Sequence, residues 1–183
     1  MRALLILLML LAAAPALAQK PDARKAELDQ LFAALKAAPT EDASTQIGAR
    51  IQQAWQQAGS PAVLLLLNRS AQDLHEGDAD GALDAVDDAL VLAPDYPETW
   101  LRRAVVRLHL GDYRGAIRDI EAVLAREPRH FVALQTLSHI AEAQGDWKGA
   151  LAAWKKALEI DPRAADGQER LQLLQRRALG EPT

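Results

Sequence analysis

Apolar residues along this chain recur at steps of three and four, the spacing of one face of an α-helix. Over 22–38, Leu28, Leu31, Phe32 and Leu35 share one such face. Pro39 and Thr40 interrupt it, and Thr40 is placed to cap a second helix with Glu41 and Asp42 in its first turn. Ile47, Ile51 and Trp55 follow at four-residue steps, and the second helix is expected to run to about Ala58, where Gly59-Ser60-Pro61 ends it. Beyond that point the pattern itself repeats. Leu83, Ile117 and Leu151 are spaced by 34 residues, as are Val86, Ile120 and Trp154, and Leu90, Leu124 and Leu158.

The same interval carries the punctuation. Gly77, Gly111 and Gly145 are each followed by Asp, at Asp78, Asp112 and Asp146. Ala82, Ala116 and Ala150 keep the spacing, and so do Pro94, Pro128 and Pro162. Each unit therefore reads as two helices. Gly stops the first, because it tolerates the left-handed conformation at a helix end. Pro follows the second, which it cannot continue, and the small Ala lets the two helices approach closely. One hairpin cannot bury its apolar face alone, so several must stack.

These residues resemble the tetratricopeptide repeat family. Trp100, Ala104, Gly111, Tyr113, Ala116 and Pro128 carry its pattern in the middle unit. Leu134, Leu137, Ser138, Gly145, Trp147, Ala150, Trp154, Ala157 and Pro162 carry it in the third, and Leu66, Ser70, Gly77, Ala82, Ala89 and Pro94 in the first. The departures are Arg69 and Arg103 where the family usually has Leu, Asp73 and Arg107 where it has Tyr, and Ala79 for an aromatic. The resemblance implies an all-α fold, a right-handed superhelical stack of helical hairpins. Its units are expected at 63–96, 97–130 and 131–163. A helical pair at 19–62 is expected to be a degenerate repeat or N-terminal cap, with an interaction helix that docks elsewhere as the alternative. Residues 164–183 are expected to form a capping helix and tail. There Leu171 and Leu174 would face the stack, Glu169, Arg170, Arg176 and Arg177 would face water, and Gly180 would be the stop.

The chain opens differently. Arg2, the apolar run Ala3–Ala14, Pro15 and the small-x-small Ala16-Leu17-Ala18 have the layout of a secretory signal peptide cleaved before Gln19. The run is too short to span a bilayer comfortably, so no integral span is expected after cleavage, and the expected location is a bacterial periplasm. Composition narrows the rest. The formal net charge is −4 without a basic footprint, which argues against nucleic acid. There is no Cys, so thiol catalysis, disulfides and Cys-type zinc sites are excluded. No catalytic motif appears and no cofactor is called for. Glu76, Asp78, Asp80, Gly81 and Asp87 approach a calcium loop, but such a loop needs Asp first and Glu last, and both ends differ here.

The resemblance also implies an inner surface built mainly from positions 2, 5, 6, 9, 12 and 13 of each first helix, plus position 34. His75, His109, His130 and His139 all fall on such positions, with Asn68, Arg102, Gln135, Glu142, Glu98 and Tyr96. Leu64, Leu67, Leu101, Val105, Leu108 and Val132 would supply an apolar floor. This set suits a protein or peptide ligand, with Arg102 able to hold a carboxylate bidentately. The expected function is a non-catalytic binding scaffold of the cell envelope. The alternatives are a metal- or pH-dependent site on the histidines, which needs two of them to converge with a carboxylate such as Glu142, and self-association through the N-terminal helices. A groove filled by those helices would make the binding reading wrong or the scaffold autoinhibited.

Overall fold

The computed structural model describes residues 20–180, and the candidate signal segment 1–18 lies outside them. Among the described residues every regular element is an α-helix: α1 (Lys20–Lys36), α2 (Glu41–Gln56), α3 (Pro61–Glu76), α4 (Ala79–Leu92), α5 (Pro97–His109), α6 (Tyr113–Arg126), α7 (Phe131–Ala143), α8 (Trp147–Ile160) and α9 (Gly167–Ala178).

The repeated residues shape three equivalent hairpins. Gly77, Gly111 and Gly145 take φ values of +86°, +76° and +74°, a conformation that L side chains resist. The Asp after each caps the next helix, its carboxylate accepting the backbone N–H of Gly81, Gly115 or Gly149 at 2.9 Å. These last three glycines are a second series at the 34-residue interval, and a Cβ at any of them would meet the capping carboxylate. Ala82, Ala116 and Ala150 are fully buried between the paired helices.

Stacking follows from the apolar faces. The first helices form one layer, α3 on α5 and α5 on α7, while α4 and α6 each pack against the first helix of the next hairpin. The layer of first helices is the inner one. Val63, Leu67, Val86 and Ala89 fill the first hairpin. Ala104, Ala116, Ile120 and Val123 fill the second and continue into Ala133 and Ile140 of the third. Ala141, Ala150 and Trp154 close against Leu174 of α9. Arg170 does not face water as expected. Its guanidinium lies 4.8 Å from the Trp154 ring centroid and pairs with Glu142. Arg177 sits 5.1 Å over Trp147 in the same way, so α9 covers aromatic faces with its cations.

The family departures at 103 and 107 are answered within the chain. Arg103 and Arg107 converge on the buried Asp119, at 2.9 and 2.8 Å, and Arg103 also reaches Asp87 of the preceding hairpin at 2.8 Å. An ion cluster thus stands where the family has apolar side chains.

The α1–α2 pair does not bury its face by extending the stack from α3 and α4. Leu31, Phe32, Leu35, Ile51 and Trp55 pack instead against Phe131, with Val132 and Ile160 at the margin, all in the third hairpin. Burial of each such side chain contributes about 2 kcal/mol before ordering costs. The pair therefore folds back onto the third hairpin, with α1 against α8 and α2 beside the start of α7. The outer edge of the first hairpin stays open, with Leu65 at 70% and Val91 at 82% exposure.

Candidate partner-binding groove

Helix α2 passes the starts of α5 and α7, beside the inner layer, and is held at both ends. Thr40 caps its start, and further in the Ser44 hydroxyl donates to the Asp161 carboxylate, a buried bond between distant parts of the chain. At its end the Tyr96 hydroxyl donates to the carbonyls of Trp55 and Gln56, at 3.1 and 3.2 Å. Burial raises the Tyr96 pKa well above that of a free phenol, with Glu98 adding to the effect, so the hydroxyl remains a donor. Midway, Gly48 lies beside Phe131, where a Cβ would stand 3.6 Å from the ring, an ordinary packing distance. Trp55 stacks on His130 with centroids 4.0 Å apart and planes 12° from parallel. On the outer side, Arg129 joins Asp29 of α1 at 2.7 Å and lies 4.2 Å over Phe32. That pairing, with Lys25, holds the Asp29 carboxyl below its ordinary range.

A cleft opens on each side of α2. The first, about 490 Å³, runs between Gln53, Gln56 and Gln57 of α2 and the inner faces of α3 and α5. Leu64, Leu67, Leu101 and Val105 make its floor; Asn68, Tyr96, Glu98 and Arg102 are its polar groups. Arg102 is half-buried and is in no ion pair among the described residues, unlike Arg103 and Arg107 beside it. Burial weighs against its charge and lowers its pKa, and only Glu98 works in the other direction. Glu98 is itself bonded to His130 Nε2 at 3.0 Å. The second cleft, about 700 Å³, lies between the first half of α2 and the junction of α7, α8 and α9, with Gln52, Gln135, His139, Glu169, Arg170 and Arg176 on its walls.

The predicted site residues therefore divide. Asn68 and Arg102 share the first cleft, and Gln135 and His139 the second. Glu142 stands behind His139, and Arg170 binds both, at 3.2 Å to His139 Nδ1. Partial burial of the His139 ring, with Arg170 beside it, lowers its pKa. His130 is 1% exposed, and its Nδ1 accepts the Ala133 N–H at 3.2 Å, which caps α7 and places the ring proton on Nε2. His75 and His109 are exposed in the last turns of α3 and α5 and line neither cleft. The four histidines do not converge, and among the described residues no group of three or more His, Asp or Glu side chains is arranged to hold a metal ion. Nor is any described helix long and apolar enough to cross a membrane. Sequence reasoning missed Ser44, Gly48 and Asp161. The stripe of Ile47, Ile51 and Trp55 marked the right face of α2 without naming its counterpart.

Known proteins bear on this geometry in two ways. Tetratricopeptide repeat profiles match residues 74–142 and 131–164. A TPR repeat-containing protein of Rhizobium etli is 38% identical over 82 residues, which is 45% of this chain; the matched stretch spans only 40% of that relative's length. The TPR domain of Sgt2 from Aspergillus fumigatus superposes with a TM-score of 0.61 at 24% identity, covering 68% of this chain and 87% of that one. The first TPR of Spaghetti (RPAP3), solved with an HSP90 peptide SRMEEVD, superposes with a TM-score of 0.60 at 20% identity, covering 67% and 97%. Two profiles, a sequence relative and the shared stack of helical hairpins agree: the chain belongs to the tetratricopeptide repeat family.

Proposed function

We propose that this protein is a non-catalytic scaffold that binds an acidic peptide segment of a partner protein in the cleft between α2 and the inner faces of α3 and α5. The observation that carries the reading is Arg102. A half-buried guanidinium without a carboxylate partner, over an apolar floor and beside Asn68, is a costly arrangement that an anionic ligand would relieve. Leu64, Leu67, Leu101 and Val105 offer the apolar area such a peptide needs. The peptide solved with the TPR of Spaghetti, SRMEEVD, is of the acidic class, which supports the reading by analogy.

The test is fluorescence anisotropy with pooled acidic heptapeptides and matched pools in which Asp and Glu become Asn and Gln. The acidic pools should bind the full chain, and Arg102→Ala should weaken them by about tenfold to a hundredfold, the range of a charged hydrogen bond. Equal binding of both pools, or no effect of Arg102→Ala, contradicts the reading.

The place of action is proposed to be the bacterial cell envelope. This rests on Arg2, the run Ala3–Ala14 and the Ala16-Leu17-Ala18 site. A periplasmic fraction whose N-terminal residue is Gln19 supports it; a cytoplasmic chain that keeps residues 1–18 contradicts it.

A further inference from the structure

We infer that the edge of the third hairpin where His130, Phe131 and Asp161 meet is a receiving site for an amphipathic helix, occupied in the resting chain by its own α2, and that a partner protein's helix of the same chemistry exchanges with it. The inference rests on reading this side of the stack as a binding surface, and it shares Tyr96 and the end of α2 with the Arg102 cleft.

The occupant shows what the site selects. Ser44, Gly48, Ile51 and Trp55 fall at i, i+4, i+7 and i+11, one stripe of a helix. Each meets a different demand. Asp161 accepts the hydroxyl, and Gly48 brings the helix backbone against Phe131, where a Cβ would make an ordinary contact at 3.6 Å. The aliphatic side chain is fully buried, and the His130 ring takes an aromatic face to face. Tyr96 then reads the end of the helix through two carbonyls. A partner helix with hydroxyl, small, aliphatic and aromatic residues at that spacing would satisfy the same groups.

The occupant is also separable from the stack. The three cores of the repeats and α9 contain no residue of α1 or α2. On the stack side, the apolar surface under the pair comes down to Phe131, Val132 and Ile160. The fit is imperfect as well, since the buried Trp55 Nε1–H has no hydrogen-bond partner among the described residues. A helix that leaves behind complete cores is one that a competitor can displace.

The test uses a labelled peptide of this chain's own residues 40–58 against three full-length proteins: wild type, Trp55→Ala and Ser44→Asp. Ser44→Asp sets a carboxylate against Asp161 and opens the site from the other end, so it decides the matter should Trp55→Ala lose its helical circular dichroism. The peptide should bind the opened variants at least tenfold more tightly than wild type, and a peptide carrying its own Trp55→Ala change should not bind. Equal affinity for all three proteins, or binding indifferent to the peptide's Trp, would overturn the inference. Concentration-dependent dimers of the wild type with exchanged hairpins would also overturn the external partner, by assigning the site to a second copy. Because α2 forms one wall of the Arg102 cleft, the acidic pools are read on the wild-type protein, where α2 is in place, and that binding reports the Arg102 reading separately.

Discussion

At the scale of residues, the least expected feature is the cation pair on Asp119. Arg103 and Arg107 occupy positions where the family pattern usually has Leu and Tyr, and both are held by one carboxylate that is 1% exposed. A buried ion cluster stabilises little compared with an apolar replacement, but breaking it from one side is costly. Asp119→Ala should therefore lower stability by about 3 kcal/mol in urea unfolding, because two guanidinium groups lose their shared buried carboxylate. The corresponding residues of the other hairpins are Ala85 and Ala153. A triple replacement, Arg103→Leu, Arg107→Tyr and Asp119→Ala, should accordingly unfold at or above the wild-type midpoint. A triple variant as weak as Asp119→Ala would show that the cluster does more than replace packing.

Among the elements, α2 depends most on contacts from outside itself. Its N-terminus is capped locally by Thr40, but its last carbonyls are satisfied by Tyr96 from the α4–α5 connection and by Arg24, which reaches Gln57. Tyr96→Phe removes the one O–H shared by two carbonyls without changing the ring that packs beside Gly59. Hydrogen exchange of α2 amides should then accelerate by about tenfold, the upper worth of a net hydrogen bond. Amides of α5 to α8 should keep their wild-type rates. Acceleration spread over the whole stack would mean that α2 and the repeats unfold as one unit.

For the molecule as a whole, the stack was legible in the sequence because its determinants are local and periodic. A Gly in the left-handed region, an Asp cap and a small Ala are needed once per hairpin, so they recur every 34 residues. The second glycine series, Gly81, Gly115 and Gly149, is masked by the more familiar Gly-Asp turn beside it, and the Asp119 cluster leaves no periodic trace. The groove was legible in part. Register placed Asn68 and Arg102 together, since both occupy one position of successive first helices. It also put His75 and His109 on the inner side, where they line neither cleft. The course of α2 was not legible at all. Its anchors join Ser44 to Asp161, 117 residues apart, and Trp55 to His130. No spacing rule links such pairs, and a stripe of Ile47, Ile51 and Trp55 would serve equally for a cap or for a helix in the groove.

The central claim is that α2 packs against the edge of the third hairpin where His130, Phe131 and Asp161 meet. Because the chain has no Cys, it can be tested by disulfide trapping of the full-length protein with cysteines at positions 44 and 161. The account predicts that Ser44→Cys with Asp161→Cys closes a single intramolecular bond under mild oxidation, whereas Ser44→Cys with Asp88→Cys on the exposed side of α4 does not. Failure of the first pair to close, or equal closure of both, would contradict it.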